Sequence, residues 1–458
     1  MRVERGFGSG DGTGVNVLYL IPYPRFASQH NGVGGHVIHA FSVTRALAKA
    51  GFRVRILTEE RIDMLAGGDS SPVAGDVAEG APDNDSSRLL GGGSSPVEAS
   101  RANPSLGIIP LESTSLIQRV RWGRKFVDAV RREIQQYPPE FVYARYSAGF
   151  MNWLPALKRA CGSVPLVLEV NSFKSQRLPM LKHPEGYFLM SADVLIAVSK
   201  VVWQGIHDRW GDALSGKTQV VTNGVDPGRF PNWEAVSERE TGDIVRMGYT
   251  GLIESWYDLD LVAEAFLEAS RLADRWMELH FYGDGPYLSE LQARFGAYGG
   301  GVDGEGSREG AESPLSVVQR TDSSTRKPKI ILHGAKPYTE MPEIMSGMDL
   351  LVNAESPAKA YTSPIKLMEY MASGRPVLSA RTPQCEAMLG KNEEHGWLYD
   401  LGDRDSFVKA FQRWMDTPHS EQVAKTRAAR EYVATNHTWD QRLQDILKCI
   451  RASGSRAI

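Results

Sequence analysis

The chain of 458 residues, 42% hydrophobic and 23% charged with a formal net charge of -3, is too long for one ordinary core and points to two or three domains of a globular protein. That charge balance excludes a nucleic-acid binder built on a concentrated basic domain. Three cysteines, Cys161, Cys385 and Cys449, lie far apart without metal-ligand spacing, which excludes a disulfide framework and reads as small buried apolar residues in a reducing compartment.

No apolar run approaches the ~18–20 residues of a membrane-spanning helix. Residues Met1–Gly14 are charged and glycine-rich, and the apolar stretch behind them, Val17–Ile21, is too short for a secretory leader. The expected location is the cytoplasm, with peripheral contact at a membrane left open.

In chain order, short β-branched runs alternate with amphipathic stretches, the rhythm of βαβ units on a parallel sheet. The first half predicts strands at Val15–Ile21, Arg53–Thr58, Phe141–Ala144, Leu166–Val170, Val194–Val198 and Gln219–Thr222, with helices such as Val37–Ala50 and Ser115–Gln136 between them. The stretch NGVDPGRFPNW, Asn223–Trp233, carries turn chemistry directly after a strand and marks a domain boundary. The rhythm then restarts, with strands at Val245–Tyr249, Glu278–Phe281, Ile330–Leu332, Leu350–Asn353, Pro376–Ser379 and Gly396–Tyr399. Helices are predicted at Leu259–Leu272, Thr339–Ser346, Pro364–Ser373 and Asp405–Met415, and a last one at Trp439–Ala452 that is free to cross back onto the first domain.

Two stretches break the rhythm. Residues 63–104 are rich in Gly, Ser, Asp, Ala and Pro and carry a near-repeat, GGDSSPV and GGSSPV; residues 297–327 include GGGVDGEGSREG. Neither holds enough apolar surface to offset its ordering entropy, so both are expected to be disordered surface inserts. The organisation is therefore α/β. A tail spans 1–14, a Rossmann-like doubly wound domain 15–225, a second such domain 226–435, and a terminal segment 436–458.

Three constellations could carry chemistry. NGVGGHV, Asn31–Val37, follows the first strand and opens a helix. Gly34 and Gly35 permit a tight turn, and the helix start behind them offers free N–H groups to a phosphate or a sugar hydroxyl. It is not GxGxxG, so a dinucleotide fingerprint is not met, and a tight turn without a ligand stays open as the plainer reading. His36 alone adds little.

The second is TSPIKLMEYMASGRPVLSA, Thr362–Ala380. A Ser-Pro pair opens a helix and puts Lys366 in its first turn, unfavourable for the helix dipole unless an anion docks there too. Ser363 and the N–H groups of Ile365 and Lys366 suit a diphosphate. Glu369, three residues on and on the same face, suits a ribose diol. The plainer alternative is a surface Lys366–Glu369 pair.

The third is GYTGLIESWYDLDLVAEAF, Gly248–Phe266, where Gly251 turns the chain between a strand and a helix. Its Asp258-Leu259-Asp260 and the later Asp403-Arg404-Asp405 match a metal-binding DxD pattern, but both read as helix caps. No cluster has metal-ligand spacing, so neither a metal nor another cofactor is expected.

In order and spacing these pieces resemble glycosyltransferase family 4, retaining enzymes of the GT-B fold. GVGGHV…LAKAGFRVRILT, SADVLIAVSK…TQVVTNGVDPGRF, FYGDGP, ILHGAKPYTEMPEIMSGMDLLVNAE and SPIKLMEYMASGRPVLSA carry the likeness, and VYARYSAGF with LVLEVNS resembles a bacterial subgroup. The resemblance covers nearly the whole chain outside the two inserts. It implies two Rossmann-like domains facing a cleft, with a nucleoside diphosphate sugar held mainly by the second. A hexose-type sugar would pass with retention to the hydroxyl of a glycan or glycolipid acceptor in polysaccharide or cell-envelope glycan synthesis. Gly34, Gly35, Gly251, Ser363, Ile365, Lys366 and Glu369 then belong to the donor site, with Lys366 and Glu369 at its catalytic centre. His36, Arg145, Tyr146, Glu169 and Asn171 are acceptor-side candidates, the plainer reading of Arg145 and Glu169 being a buried ion pair on neighbouring strands.

The sequence departs from the family pattern at four places. Tyr361 stands where the family often has the first Glu of a pair, Leu252 and Tyr257 where it has diphosphate-binding Arg and Lys, and Asn171 where it often has His. A non-catalytic nucleotide-sugar binder or scaffold of a polysaccharide assembly system is therefore the alternative. A nicotinamide-dependent dehydrogenase lacks both its glycine fingerprint and an acid after the second strand.

Overall fold

Strands covered by helices on two sides must be apolar on both faces, and the strand runs of this chain are: Leu166–Val170 and Leu350–Asn353 are buried throughout. The computed structural model describes residues 16–22, 35–59, 105–108, 116–176, 178–298, 327–355 and 364–453. The tail, the 63–104 insert, Gly34, Tyr361, Ser363 and most of the 297–327 insert lie outside these residues. The chain divides into two units, Met1–Asn223 with Trp439–Ile458, and Gly224–Thr438.

In the first unit seven described strands run parallel: β1 (Asn16–Ile21), β2 (Arg53–Thr58), β3 (Ser105–Ile108), β4 (Phe141–Arg145), β5 (Leu166–Val170), β6 (Val194–Ala197) and β7 (Thr218–Val220). Their order is β3-β2-β1-β4-β5-β6-β7. The sequence did not announce β3, a four-residue edge strand with an interior glycine that pairs Arg55–Thr58 with Ser105–Ile108. Nor did β7 fall where expected. It ends at Val220, because the carbonyls of Val221 and Thr222 turn to the guanidinium of Arg442. The helix Trp439–Ala452 that carries Arg442 packs within this unit, with Trp439 edge-on to His39 and Lys49 paired to Asp440.

In the second unit six described strands run parallel: β8 (Ile244–Thr250), β9 (Trp276–Tyr282), β10 (Lys329–Leu332), β11 (Leu350–Asn353), β12 (Val377–Arg381) and β13 (Trp397–Asp400), in the order β10-β9-β8-β11-β12-β13. Successive residues point to opposite faces of a strand, and this splits the core in two. Leu350, Val352, Leu378, Ala380, Trp397 and Tyr399 enter one apolar cluster; Leu351, Val377 and Leu398 enter the other. Each sheet is thus a doubly wound Rossmann-like sheet. In both, the winding reverses beside the unit's first strand, between β1 and β4 and between β8 and β11. Such a reversal opens a crevice outside the carboxyl ends of the two strands, where ligands of this architecture bind.

Two expectations about local structure need correction. Asp258 occupies the start of helix Leu259–Ser270 but its side chain makes no capping bond. Asp260 is engaged by Tyr287 and Arg294, and only Asp403 caps its helix, through Ser406 N at 2.9 Å. Cys161 and Cys385 are buried, whereas Cys449 is half-buried.

Candidate functional site

The reversal point of the second unit brings together the loop after β8 and the start of helix Ile365–Ala372, which follows β11. Pro364 stands just before this helix in extended conformation and Ile365 is its first residue. Tyr370 pins the helix to β8: its hydroxyl accepts from Thr250 N at 2.8 Å. One turn earlier, Lys366 reaches the same strand end. Its Nζ donates to Tyr249 Oη at 2.9 Å and stands 4.1 Å from the centroid of that ring and 4.2 Å from that of Tyr257. Tyr249 passes its own proton to the Leu252 carbonyl at 2.7 Å. Burial pushes the Lys366 ammonium down to about 8, while the nearby Glu355 carboxylate pulls the other way.

Gly251 lies directly against this lysine; a Cβ there would come within 3.0 Å of Lys366 Cε. The loop it starts is fixed to its neighbour: Gly251 N donates to Tyr282 O at 2.9 Å and Ile253 N to Asp284 O at 3.0 Å. Gly283 makes the approach possible, since a Cβ there would sit 1.7 Å from Gly251 O. Beyond it the rings of Tyr282 and His333 stack in parallel at 4.1 Å. The FYGDGP segment therefore acts as a backbone support for the glycine turn.

Glu369 does not share this environment. Its Oε1 accepts from Arg229 Nη1 and from Tyr338 Oη, both at 2.7 Å. Arg229 also donates to Tyr338 O at 2.6 Å and stacks 3.6 Å above that ring. Burial raises the Glu369 pKa, and Arg229 and the Tyr338 hydroxyl act against it. The plainer reading of an exposed Lys366–Glu369 pair is thus overturned: Glu369 is buried, and each residue has other partners. Arg229 and Tyr338 escaped the sequence reading. Arg229 sits in the turn segment taken as a boundary, and its only signal was a cation placed among Gly, Pro and Phe.

In the first unit, Gly35 opens helix Gly35–Lys49 with open space where a Cβ would stand. The carbonyl of His36 accepts from Arg145 Nη1 at 3.4 Å, so the helix start and the end of β4 meet at the reversal point. Hydrogen bonding orients the Asn171 amide with its oxygen toward Arg145 and its nitrogen 3.1 Å from Glu169 Oε1. Glu169 itself is fully buried. It receives Tyr143 Oη, Arg442 Nη2 at 2.6 Å and His39 Nε2 at 3.0 Å. Burial opposes its charge, yet His39, Arg442 and Arg145 hold its pKa well below the usual carboxylate range. Burial also drives the His39 imidazole down to about 4, against the pull of the Glu169 carboxylate. Tyr146 is likewise turned inward, its hydroxyl donating to buried Glu185. Of the five acceptor-side candidates, Arg145 and Asn171 are partly exposed at the strand ends and His36 at the helix start, and Glu169 and Tyr146 are buried.

Among the described residues no group of three or more His, Cys, Asp or Glu could hold a metal ion, and no helix is long and apolar enough to cross a membrane.

Two doubly wound parallel domains, each with its crevice at the point where strand order reverses, define the GT-B class of glycosyltransferases. The fold of a glycosyltransferase from Rickettsia africae matches with a TM-score of 0.63 at 13% identity, over 97% of this chain and 100% of that one. That of Anabaena HepE in complex with UDP and glucose matches with 0.61 at 13% identity, over 96% and 100%. Sucrose-phosphate synthase from Thermosynechococcus elongatus matches with 0.59 at 15% identity, over 95% and 98%. No curated protein matches the sequence. Residues 33–229 match the family model Glycosyltransferase Family 4, and residues 304–448 the model Glycosyl transferase-like. Each half of the chain thus resembles a glycosyltransferase model, the first that of family 4, on the two-domain fold of GT-B glycosyltransferases.

Proposed function

We propose that the protein transfers a hexose-type sugar from a nucleoside diphosphate sugar to an acceptor hydroxyl with retention, in the synthesis of a polysaccharide, glycolipid or cell-envelope glycan. The observation that carries this reading is Lys366. A cation in the first turn of a helix, held by two tyrosine rings at the reversal point of the second unit, costs stability unless an anion shares the site. The nearby Glu355 carboxylate offsets part of that cost, and a diphosphate at the helix start would offset the rest. The UDP and glucose bound by HepE, a protein of the same fold, support a nucleotide sugar as the donor.

In this reading the bond from the anomeric carbon to the diphosphate oxygen breaks while the acceptor oxygen bonds to the same face of the sugar. The acceptor's proton passes to the departing phosphate, and no protein nucleophile is required. Lys366, with the N–H groups of Ile365 and Lys366 and the Ser363 side chain, stabilises the charge that grows on the leaving diphosphate. That fixed positive charge takes the part a metal would play, so the reaction is proposed to need none. Glu369 meets the ribose through Oε2, while Arg229 and Tyr338 hold Oε1. On the first unit, Arg145 and Asn171 receive the acceptor, and buried Glu169 sets their orientation.

Tyr257 favours a second reading. It stands where the family has a cation, and its ring covers the one cation that Lys366 provides. A protein that binds nucleotide sugar without turnover would tolerate that exchange. Incubation with a panel of nucleotide sugars, with mass spectrometry of the products, separates the two. Release of nucleoside diphosphate with a glycosylated product supports transfer. Tight binding without product would establish the binder.

A further inference from the structure

The exposed apolar side chains of the first unit are not scattered. Nine large hydrophobic residues are exposed among the described residues. Four of them, Leu178, Met180, Tyr187 and Met190, fall in the crossover from β5 to β6, and a fifth, Val120, lies on helix Leu116–Gln136. Met180 is 82% exposed and Tyr187 68%. The crossover is a 3-10 turn, Pro179–Leu181, followed by helix Lys182–Leu189. Its outward residues cannot simply roll inward, because the inner side is already fixed. Glu185 takes the Tyr146 hydroxyl together with Lys174 N at 2.6 Å and Ser175 N at 2.8 Å. Trp210 lies so close to Gly186 that a Cβ there would come within 2.3 Å of the indole nitrogen.

Charge on this face has one sign. Among the described residues between Phe173 and Met190 stand Lys174, Lys182 and a single acid, the buried Glu185. Helix Lys182–Leu189 and helix Leu116–Gln136 both border a second 3-10 turn, Met151–Trp153. Gly123 of the latter helix lies against the Trp153 ring, and Tyr146 reaches Met151 Sδ at 3.6 Å. The solvent side of helix Leu116–Gln136 carries Arg119, Arg121, Arg124 and Lys125, all exposed, ahead of its first acid, Asp128.

Exposed Met, Leu and Tyr beside several cations and no exposed acid match the boundary of an anionic bilayer. There the apolar side chains enter the headgroup region and the cations meet the surface charge. A second copy of the chain fits less well, since a twofold contact would set this cationic rim against itself. We propose that this face docks the protein on anionic lipid. The crossover leaves the sheet just after Asn171, so docking would bring a lipid-borne acceptor to Arg145 and Asn171. The lipid-borne acceptor rests on the transferase reading; the docking does not.

The test is flotation of the full chain with vesicles of phosphatidylcholine, with and without phosphatidylglycerol. Flotation is expected only with the anionic vesicles, and about 0.5 M salt should release the protein. Met180→Asp combined with Tyr187→Ser should abolish it. Arg119→Ala and Arg121→Ala should each weaken it about fivefold. Unchanged circular dichroism and UDP affinity would show that these variants remain folded. The docking proposal fails if the wild type does not float with anionic vesicles at low salt, or if the Met180 variant floats equally well. It also fails if sedimentation equilibrium finds a Met180-dependent dimer that ignores lipid. A chain that binds UDP but does not float loses only the docking; one that floats but does not bind UDP loses only the transferase reading.

Discussion

Arg229 Nη1 lies 2.7 Å from Glu369 Oε1, so the carboxylate expected to greet a ribose is already half engaged before any donor arrives. This joins a residue of the turn at the start of the second unit to the helix that follows β11. Glu369→Gln should therefore do two things. It should raise the donor KM, because the amide makes weaker bonds than a carboxylate to the ribose. It should also lower stability by about 1–3 kcal/mol, because the partly buried Arg229 guanidinium loses its counter-charge. A double-mutant cycle with Arg229→Met, read by urea denaturation, should give a coupling in that range. Additive effects would show that the ion pair is not formed in solution.

Lys366→Ala removes the cation proposed to lie beneath the leaving diphosphate. A loss of about 10²–10³ in kcat is expected, the range for deleting one preorganised stabilising group. Lys366→Arg should restore little, because the space between the Tyr249 and Tyr257 rings is set for a compact ammonium. Steady-state rates at saturating donor decide. Wild-type kcat in Lys366→Ala would place the diphosphate elsewhere.

The pH dependence follows from the same residue. Burial lowers the Lys366 pKa from 10.5 to about 8. The ammonium is present below about pH 8 and is lost as pH rises through that value, so UDP affinity should fall up to tenfold per unit above it. Stability moves the other way. Between about 8 and 10.5 the unfolded chain carries the extra proton, so this group makes folding more favourable as pH rises. Titration calorimetry with UDP at several pH values, beside Lys366→Met as a control, measures the first effect. A flat wild-type profile would contradict the assignment.

Arg442 is the only cation from the terminal helix reaching Glu169, at 2.6 Å. Arg442→Ala leaves a carboxylate buried with its nearest guanidinium gone and should destabilise the first unit by about 3–5 kcal/mol. Adding Glu169→Gln should recover part of that loss. Chemical denaturation of the two variants compares them; no difference between single and double variant would deny the pair its role.

Transfer activity is expected to persist in excess EDTA, with Lys366 and the helix N–H groups supplying the positive charge. Loss of activity in EDTA with recovery on Mg²⁺ or Mn²⁺ would overturn that part of the mechanism.

Much of this architecture was legible because parallel strands declare themselves as short apolar runs: β2, β5 and β11 fall on the expected residues. β3 was not, since Ser-Leu-Gly-Ile has too little pattern to stand out beside a low-complexity stretch. Lys366 could be singled out by its awkward place in a helix dipole. Its partners could not. Tyr257 stood out only as a departure from the family pattern and Tyr249 not at all, and Arg229, the partner of Glu369, lies 140 residues from it, a separation no periodicity spans. Glu169 was found as a polar residue at a strand end, but only the packing of a helix more than 270 residues later, which brings Arg442 to it, explains its full burial.

The chain leaves the first unit after Asn223 and rejoins it at Trp439. Just inside those points Val225 bridges to Thr438, and Val225 N donates to His437 O at 2.8 Å. The second unit therefore begins and ends at one place, like a loop drawn closed by a knot at its neck. In genetic terms it is a guest domain carried inside a host, and such guests keep their ends together. A gene encoding residues 224–438 alone should yield a folded protein. The host, in contrast, should depend on both of its separated pieces, because its Glu169 is paired by Arg442, 273 residues further along the chain.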